Sequence, residues 1–452
     1  MILEQYYNNN IYNIFILLLM FNLAFGSVLI NEVKNYYAYR ILEGNVQRKR
    51  YFENTNDTKN VIITPRWFEN YIVNNSTVDE LKGWIRHTFS YNQSTDAKYY
   101  VPIELEQIPR DKMLKWVSYY MYYKSMWQLT KEQLEYSAVV LNKIEYKLKI
   151  NFSDIEDKSI YFLKFGNNKI QSDYRPKFMS SCLSIIKDVC YFTLNMFGFK
   201  SAKLSEFGFS YYHYYNSDKH SNVLFIHGFG FGITPYMTYL LELKKKVNLY
   251  VIVIPNISNM EYSNYNIHTH DPKTILPDYE LWRSDIKSMI VKHNISSLDC
   301  IAHSFGTIIF GILLNDKWIY NKINKKIFIE PVCFIEKSYK IFRYINEPYN
   351  TNDMITILFN ELIYKDIYLK YTTQRFLYGP EFWQVDYNKL NNNSMVILSE
   401  KDQVVPTDEL HEKLSDNNIK CIYVKEAKHA DLFMSDKYNG VFEVIDDFIL
   451  NF

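Results

Sequence analysis

The chain has 452 residues, too many for one ordinary domain, and 48% of them are hydrophobic, ample for a large core. Its 51 basic and 50 acidic residues leave a formal charge of +1, so no global field draws it to nucleic acid or to an acidic polymer. The 41 tyrosines against 13 glycines mark an AT-biased coding sequence, which devalues clusters such as Tyr119-Tyr120 and Tyr211-Tyr212 as stacking platforms. The same bias makes Asn-x-Ser/Thr matches, at Asn92 and Asn151 among others, common by chance. Five cysteines at 182, 190, 300, 333 and 421 show no framework spacing and fit buried free thiols of a reducing compartment.

From Gln5 to Asn31 there is no charged side chain, and residues 11–30 match the ~20 residues a bilayer core requires. As a signal peptide this stretch would be cut near Ala24-Phe25-Gly26, but its start holds Glu4 and no Lys or Arg. As an anchor it has Lys34, Arg40, Arg48, Lys49 and Arg50 on its C-terminal flank, which would hold the rest of the chain on the cytosolic side. The expectation is a single-pass membrane protein of the endoplasmic reticulum or another endomembrane, with a secreted or lumenal protein as the alternative. A helical region follows. Residues 111–127 form an aromatic helix, and Thr130-Lys131-Glu132-Gln133 is a capping box before the helical face Leu134, Ala138, Leu141, Ile144 and Leu148. Residues 178–197, apolar on most sides, make a third helix that docks on the following domain or on a bilayer.

The second half carries the chemistry. Asn222–Ile226 is a buried strand ending in the turn His227-Gly228-Phe229-Gly230, the kind of glycine-rich turn that offers a backbone N–H to an oxyanion. His268-Thr269-His270-Asp271 looks like a metal fragment but has no third ligand nearby and reads as a polar loop. Within Ser297–Leu314 a short apolar strand runs into Ser304, with Ala302 and Gly306 at the two positions where a tight strand-to-helix turn tolerates almost no side chain. Ser304 then stands exposed above the sheet as a nucleophile, and the amides of Phe229 and Phe305 are the oxyanion donors. After the strand Lys326–Ile329 comes Glu330, a rival acid whose neighbour Pro331 points to a structural turn. Met395–Ser399 is a strand followed by Asp402, the preferred acid, although Asp402 could instead begin a helix at 407–410. Cys421–Val424 is a last strand, and His429 lies on the loop beyond it. His227 reads as structural, and His303, beside the nucleophile, as packing around the site.

Ser304, Asp402 and His429, in that chain order and each after a strand, resemble the triad of the α/β-hydrolase superfamily, with the match covering roughly residues 220–450. Ala302 stands where that family usually has glycine. The segments Leu81–Ile85, Ile108–Trp116, Phe225–Tyr236 and Glu330–Phe334 are similar to those of a group found in fungi and oomycetes, whose members carry a long membrane-associated N-terminal extension. The resemblance implies an α/β fold: a mostly parallel sheet with flanking helices and a helical cap, preceded by the hydrophobic segment and the helical region. It implies no substrate. The expected layout is 1–31 hydrophobic segment, 32–205 helical region and 206–452 hydrolase domain. The cap would be an insertion at about 335–392, with helix-like stretches at 335–345 and 352–370, then Phe376, Tyr378, Phe382 and Trp383. The expected activity is a serine hydrolase of carboxylic esters, with a small-molecule or lipid-like substrate, no cofactor and no metal. An acyltransferase would use the same residues, and a catalytically silent binding protein could share the fold. Epoxide or haloalkane chemistry would need a carboxylate where Ser304 stands.

Overall fold

The computed structural model describes residues 28–44, 65–91, 103–164, 170, 172–204, 209–258, 279–334, 339, 363, 365–376 and 384–451. A small antiparallel pair, β1 (Phe89–Tyr91) with β2 (Ile160–Phe162), lies among the N-terminal helices. The main sheet has eight strands: β3 (Lys200–Lys203), β4 (Ser210–Tyr214), β5 (Asn222–Ile226), β6 (Asn248–Val253), β7 (Leu298–His303), β8 (Ile323–Ile329), β9 (Ser394–Ser399) and β10 (Lys420–Val424). Their spatial order is β10-β9-β8-β7-β5-β6-β4-β3, parallel from β10 to β6 and antiparallel at β4 and β3. With helices on both faces, this is an α/β-hydrolase-like fold. The sheet begins at Lys200, ahead of the expected boundary at 206.

Strands buried on both faces read as continuous apolar runs rather than as alternation. All six residues of β6 (NLYVIV) are buried, as are all six of β7 and of β9. The two faces still sort by the period of two. Leu224, Ile226, Cys300, Ala302, Phe328, Val396 and Leu398 join one core, whereas Val223, Phe225, Ile301, Ile327, Ile329, Met395 and Ile397 join the other. Helices Lys177–Met196, Met237–Leu243 and Asn439–Leu450 cover the second face. The first is covered by Tyr279–Lys292, Gly306–Leu314 and Thr407–Asp416, and its cluster continues without a break into the N-terminal helices.

Those helices form where their caps predict. Thr130 accepts from the Gln133 amide and Gln133 from the Thr130 amide, opening the helix Lys131–Leu148. A second capping box, Thr77 with Glu80, opens Val78–Thr88. Arg110–Tyr122 ends at Tyr123, whose φ is +51°. Leu81, Trp84, Ile85, Trp116, Val117, Leu141 and Ile144 pack inward. Tyr339 ties this unit to the sheet domain, its ring 4.9 Å from that of His87 and its hydroxyl donating to Glu409 at 3.0 Å. Lys177–Met196 docks on the sheet side through a narrow stripe of Ser180, Leu183, Cys190 and Leu194, leaving Phe178, Ile185, Val189, Phe192 and Met196 exposed. All five cysteines are free, and Cys190, Cys300 and Cys333 are buried.

The expectation of a single-pass membrane protein is corrected: among the described residues no helix is long and apolar enough to cross a membrane. Residues 28–44 are helical and carry Glu32, Lys34, Arg40 and Glu43, too many charges for a span. They dock on protein instead, through Ala38, Tyr39 and Leu42 against Ile170, Ile367, Tyr368 and Tyr371. Residues 11–27 of the expected anchor lie outside the described residues, as do Arg48–Arg50, Asn92, His268–Asp271 and most of the expected cap. Within the segment expected to form a cap, the described residues include a helix, Ile367–Phe376, whose start is pinned by an ion pair from Arg175 to Asp366 at 3.1 Å.

Candidate active site

β7 ends at His303 and the next helix starts at Gly306, leaving two residues for the turn. Ser304 therefore adopts φ +49°, a left-handed conformation that is strained for a residue with a Cβ. Three contacts hold it there: its N–H donates to Ile329 O at 2.9 Å, and its carbonyl accepts from Thr307 N at 2.9 Å and Thr307 Oγ1 at 2.6 Å. Gly306 is required by sterics, because a Cβ there would sit 2.6 Å from the carbonyl oxygens of both Ile226 and His227. Ala302 meets no such limit; it lies fully buried in register between Ile226 and Phe328. Ser304 is not exposed above the sheet as expected, with only 8% of its surface accessible.

The structure brings Ser304, His429 and Asp402 together. Ser304 Oγ donates to His429 Nε2 at 2.7 Å, and His429 Nδ1 donates to Asp402 Oδ2 at 2.7 Å. The other Asp402 oxygen accepts the amides of Val404 at 2.7 Å and Val405 at 2.8 Å, which aims Oδ2 at the imidazole. Asp402 thus shapes the turn ahead of the helix Thr407–Asp416 and faces His429 with the same carboxylate. In the upstream turn, the Gly228 amide donates to Tyr236 Oη at 2.8 Å and the Gly230 amide to Ile257 O at 2.8 Å. Phe229 lies between them, its ring 6.3 Å from that of Phe305, the residue after Ser304. His227 is structural: its Nε2 accepts the Ile254 amide at 3.0 Å, and burial pushes its pKa down to about 4.

Glu330 is more than a turn residue. It sits at φ +48° just past β8, with no exposed surface. Its Oε2 accepts from His303 Nε2 at 2.8 Å and from the Ala430 amide at 2.7 Å, and lies 3.6 Å from His429 Nδ1. Its Oε1 accepts from Ser399 Oγ. His303 Nδ1 in turn accepts from Tyr236 Oη at 2.7 Å. His303, Glu330 and His429 come within reach of one another, and hydrogen bonds join Glu330 to His303 and to the amide next to His429. Burial lowers the His429 pKa, yet the charges of Asp402 and Glu330 and the Asp402 hydrogen bond outweigh it and push it up to about 9. Burial alone would raise Glu330, but the neighbouring His429 and His303 hold its carboxyl well below the usual range. Burial dominates at His303, whose pKa is lowered although the Glu330 hydrogen bond and charge raise it.

Sequence reading missed Tyr236 and Ser399 and undervalued Glu330. The available signal was positional, since Glu330, like Ser304 and Asp402, follows the carboxyl end of a parallel strand.

No family model matches the chain, and no curated protein does. Among solved structures it is similar to carboxylesterase CesB of Bacillus subtilis, at 13% identity and TM-score 0.43, over 61% of this chain and 99% of that one. Naproxen esterase of Bacillus subtilis gives 15% identity and TM-score 0.39, over 58% and 97%. A bacterial membrane phospholipase A gives 11% and 0.42, over 61% and 93%. At these values the reaction has to be argued from the residues themselves.

Proposed function

We propose that the chain is a serine hydrolase that cleaves carboxylic esters, with Ser304 as nucleophile, His429 as general base and then acid, and Asp402 as the group that orients it. The observation that carries this reading is the continuous relay Ser304–His429–Asp402, with 2.7 Å at each link. A serine hydroxyl is a poor nucleophile until an imidazole takes its proton, and that imidazole needs a carboxylate to fix its tautomer. Ser304 Oγ attacks the ester carbonyl while its proton passes to His429 Nε2. The amides of Phe229 and Phe305 hold the oxyanion. Collapse of the tetrahedral intermediate expels the alkoxide, which takes the proton from His429 and leaves an acyl-Ser304. Water, deprotonated by His429, then releases the acid. A lipid-like ester is the substrate class we favour, and an alcohol replacing water would make the same residues an acyltransferase. The domain layout goes with this reading: 206–452, joined by strand β3 from just before that boundary, supplies the chemistry, and the helical region before it supports it.

Ser304→Ala should abolish fluorophosphonate labelling and ester turnover while thermal stability stays within about 1 kcal/mol, because the change removes one hydroxyl and leaves the turn intact. Undiminished turnover in that variant would sink the mechanism. Product analysis with and without a competing alcohol separates hydrolysis from acyl transfer.

A further inference from the structure

Building on the reading of Ser304 and His429 as nucleophile and base, we propose that Glu330 is a second carboxylate of the site, a positioning residue that acts through His429 and through the oxyanion turn. Its carboxylate accepts the Ala430 amide at 2.7 Å, one residue from His429, and so fixes the turn on which the base rides. That turn needs fixing, since Ala430 itself is held at φ +69°. Through His303 and Tyr236 the same carboxylate reaches the opposite side of the site. Glu330 Oε2 accepts from His303 Nε2 at 2.8 Å, His303 Nδ1 accepts from Tyr236 Oη at 2.7 Å, and Tyr236 Oη accepts the Gly228 amide at 2.8 Å. Four hydrogen bonds therefore link the amide beside the base to the amide beside the oxyanion donor Phe229. Both turns bear on Ser304, and one buried network sets their spacing.

The second effect is electrostatic. His429 is faced by Asp402 from the loop after β9, by Glu330 and His303 from the ends of β8 and β7, and by Asp431 on its own loop. Both ring nitrogens of His303 are engaged, Nε2 with Glu330 and Nδ1 with Tyr236, so it is not placed to take the proton that Ser304 gives up to His429. When His429 accepts that proton, the imidazolium lies between two buried carboxylates, with Glu330 Oε2 at 3.6 Å from Nδ1. No proton passes to Glu330. Starting from the neutral imidazole, it lowers the energy of the charge that His429 takes up from Ser304, the kind of interaction that raises kcat, while at lower pH it equally favours the resting imidazolium and so sets the acid limb.

The test is the pH dependence of kcat and KM for p-nitrophenyl butyrate, measured on the full chain as wild type, Glu330→Gln and Tyr236→Phe, with Ser304→Ala as the reference. Removing an opposite charge at this range should move the acid limb of Glu330→Gln down by about one pH unit or more. On the plateau above the limb, where His429 is neutral in both proteins, its kcat should fall by roughly 10-fold or more with KM little changed, the mark of an interaction made in the transition state. Tyr236→Phe keeps the charge but cuts the link to Gly228, so it should lower kcat and leave the limb where it is. It also keeps the proposal testable if Glu330→Gln does not fold. An acid limb unmoved in Glu330→Gln, or wild-type kcat in Tyr236→Phe, overturns the proposal. If Ser304→Ala still turns over the ester, it is the serine mechanism that fails; if Ser304→Ala is dead while the other variants match wild type, only the role of Glu330 fails.

Discussion

Replacing Gly306 by alanine puts a methyl group 2.6 Å from the carbonyl oxygens of Ile226 and His227 and 3.0 Å from Ile226 Cγ2. Non-bonded heavy atoms are at their best near 3.5–4.0 Å, so the start of the helix has to retreat from β5 by on the order of 0.5–1 Å. Neither obstacle can swing aside, because both oxygens are backbone at the end of a central strand. Overpacking of this kind costs about 1–3 kcal/mol. The functional loss should be larger than the structural one. Gly306 is two residues from Ser304, and a displacement near 1 Å at the reacting atom lowers rates about 10²-fold. The assay is the second-order rate of fluorophosphonate labelling, read beside thermal unfolding. Gly440→Ala is the matched control: a methyl there meets nothing within 4 Å, in the first turn of the helix Asn439–Leu450, and should be neutral or gain up to ~1 kcal/mol. Labelling of Gly306→Ala at the wild-type rate with unchanged stability would refute the argument that the strand–helix contact demands glycine.

Asp402→Asn should lower kcat by about 10⁴-fold by holding His429 in the wrong tautomer, and a loss under ~10-fold in the same ester assay would move the orienting role to another acid. Burial lowers the His429 pKa but Asp402 and Glu330 raise it further than burial lowers it, so the base is neutral only at higher pH and the acid limb of kcat/KM should lie above 6.5; a limb at or below 6.5 contradicts this. A folded pKa above the unfolded one means that His429 contributes its full stability below 6.5 and loses it as pH rises towards about 9, which unfolding of wild type against His429→Gln across that window should reveal. Lys325 Nζ donates to Phe448 O at 2.7 Å, Ile449 O at 2.9 Å and Asn451 O at 2.6 Å at the end of the last helix. Lys325→Met should cost about 1–3 kcal/mol in denaturant unfolding and leave turnover per folded molecule unchanged.

β7, β8, β9 and β10 were legible because each is an apolar run leading to a chemically distinctive residue: Ser304 after β7, Glu330 after β8, Asp402 after β9 and His429 after β10. The elbow could be read from the small residues two positions before and after Ser304, of which Gly306 is the one that the contact with β5 requires. β6 passed unremarked although all six of its residues are buried, because no reactive side chain marks its end. The antiparallel strands β3 and β4, rich in Lys and Tyr, carry too little apolar pattern to stand out in a tyrosine-rich chain. Glu330 was legible as an acid after a strand but not as a partner of His303 and Ala430, since those contacts join residues 27 and 100 positions away. The hydrophobic N-terminus misled for a different reason: a run of the right length says nothing of its neighbours, and the helix described over residues 28–44 carries charges and packs on Tyr368 and Tyr371.

One buried cluster runs from Phe68 in the N-terminal helices to Ile419 just before β10. On the ribosome this sets a delay. Leu148 ends the last helix of the N-terminal unit, and Leu414 belongs to the helix that completes the same face of the sheet, 266 residues later (414 − 148). At about 5–20 residues per second, roughly 15–50 s separate the synthesis of the two. Through that interval Leu81, Trp84 and Ile85 lack part of the surface they finally join, and their helices have to persist half-packed or be shielded. The N-terminal helices are therefore early-made walls of a room closed only by the final strands, and a cell short of chaperone capacity should lose this protein during synthesis sooner than after it.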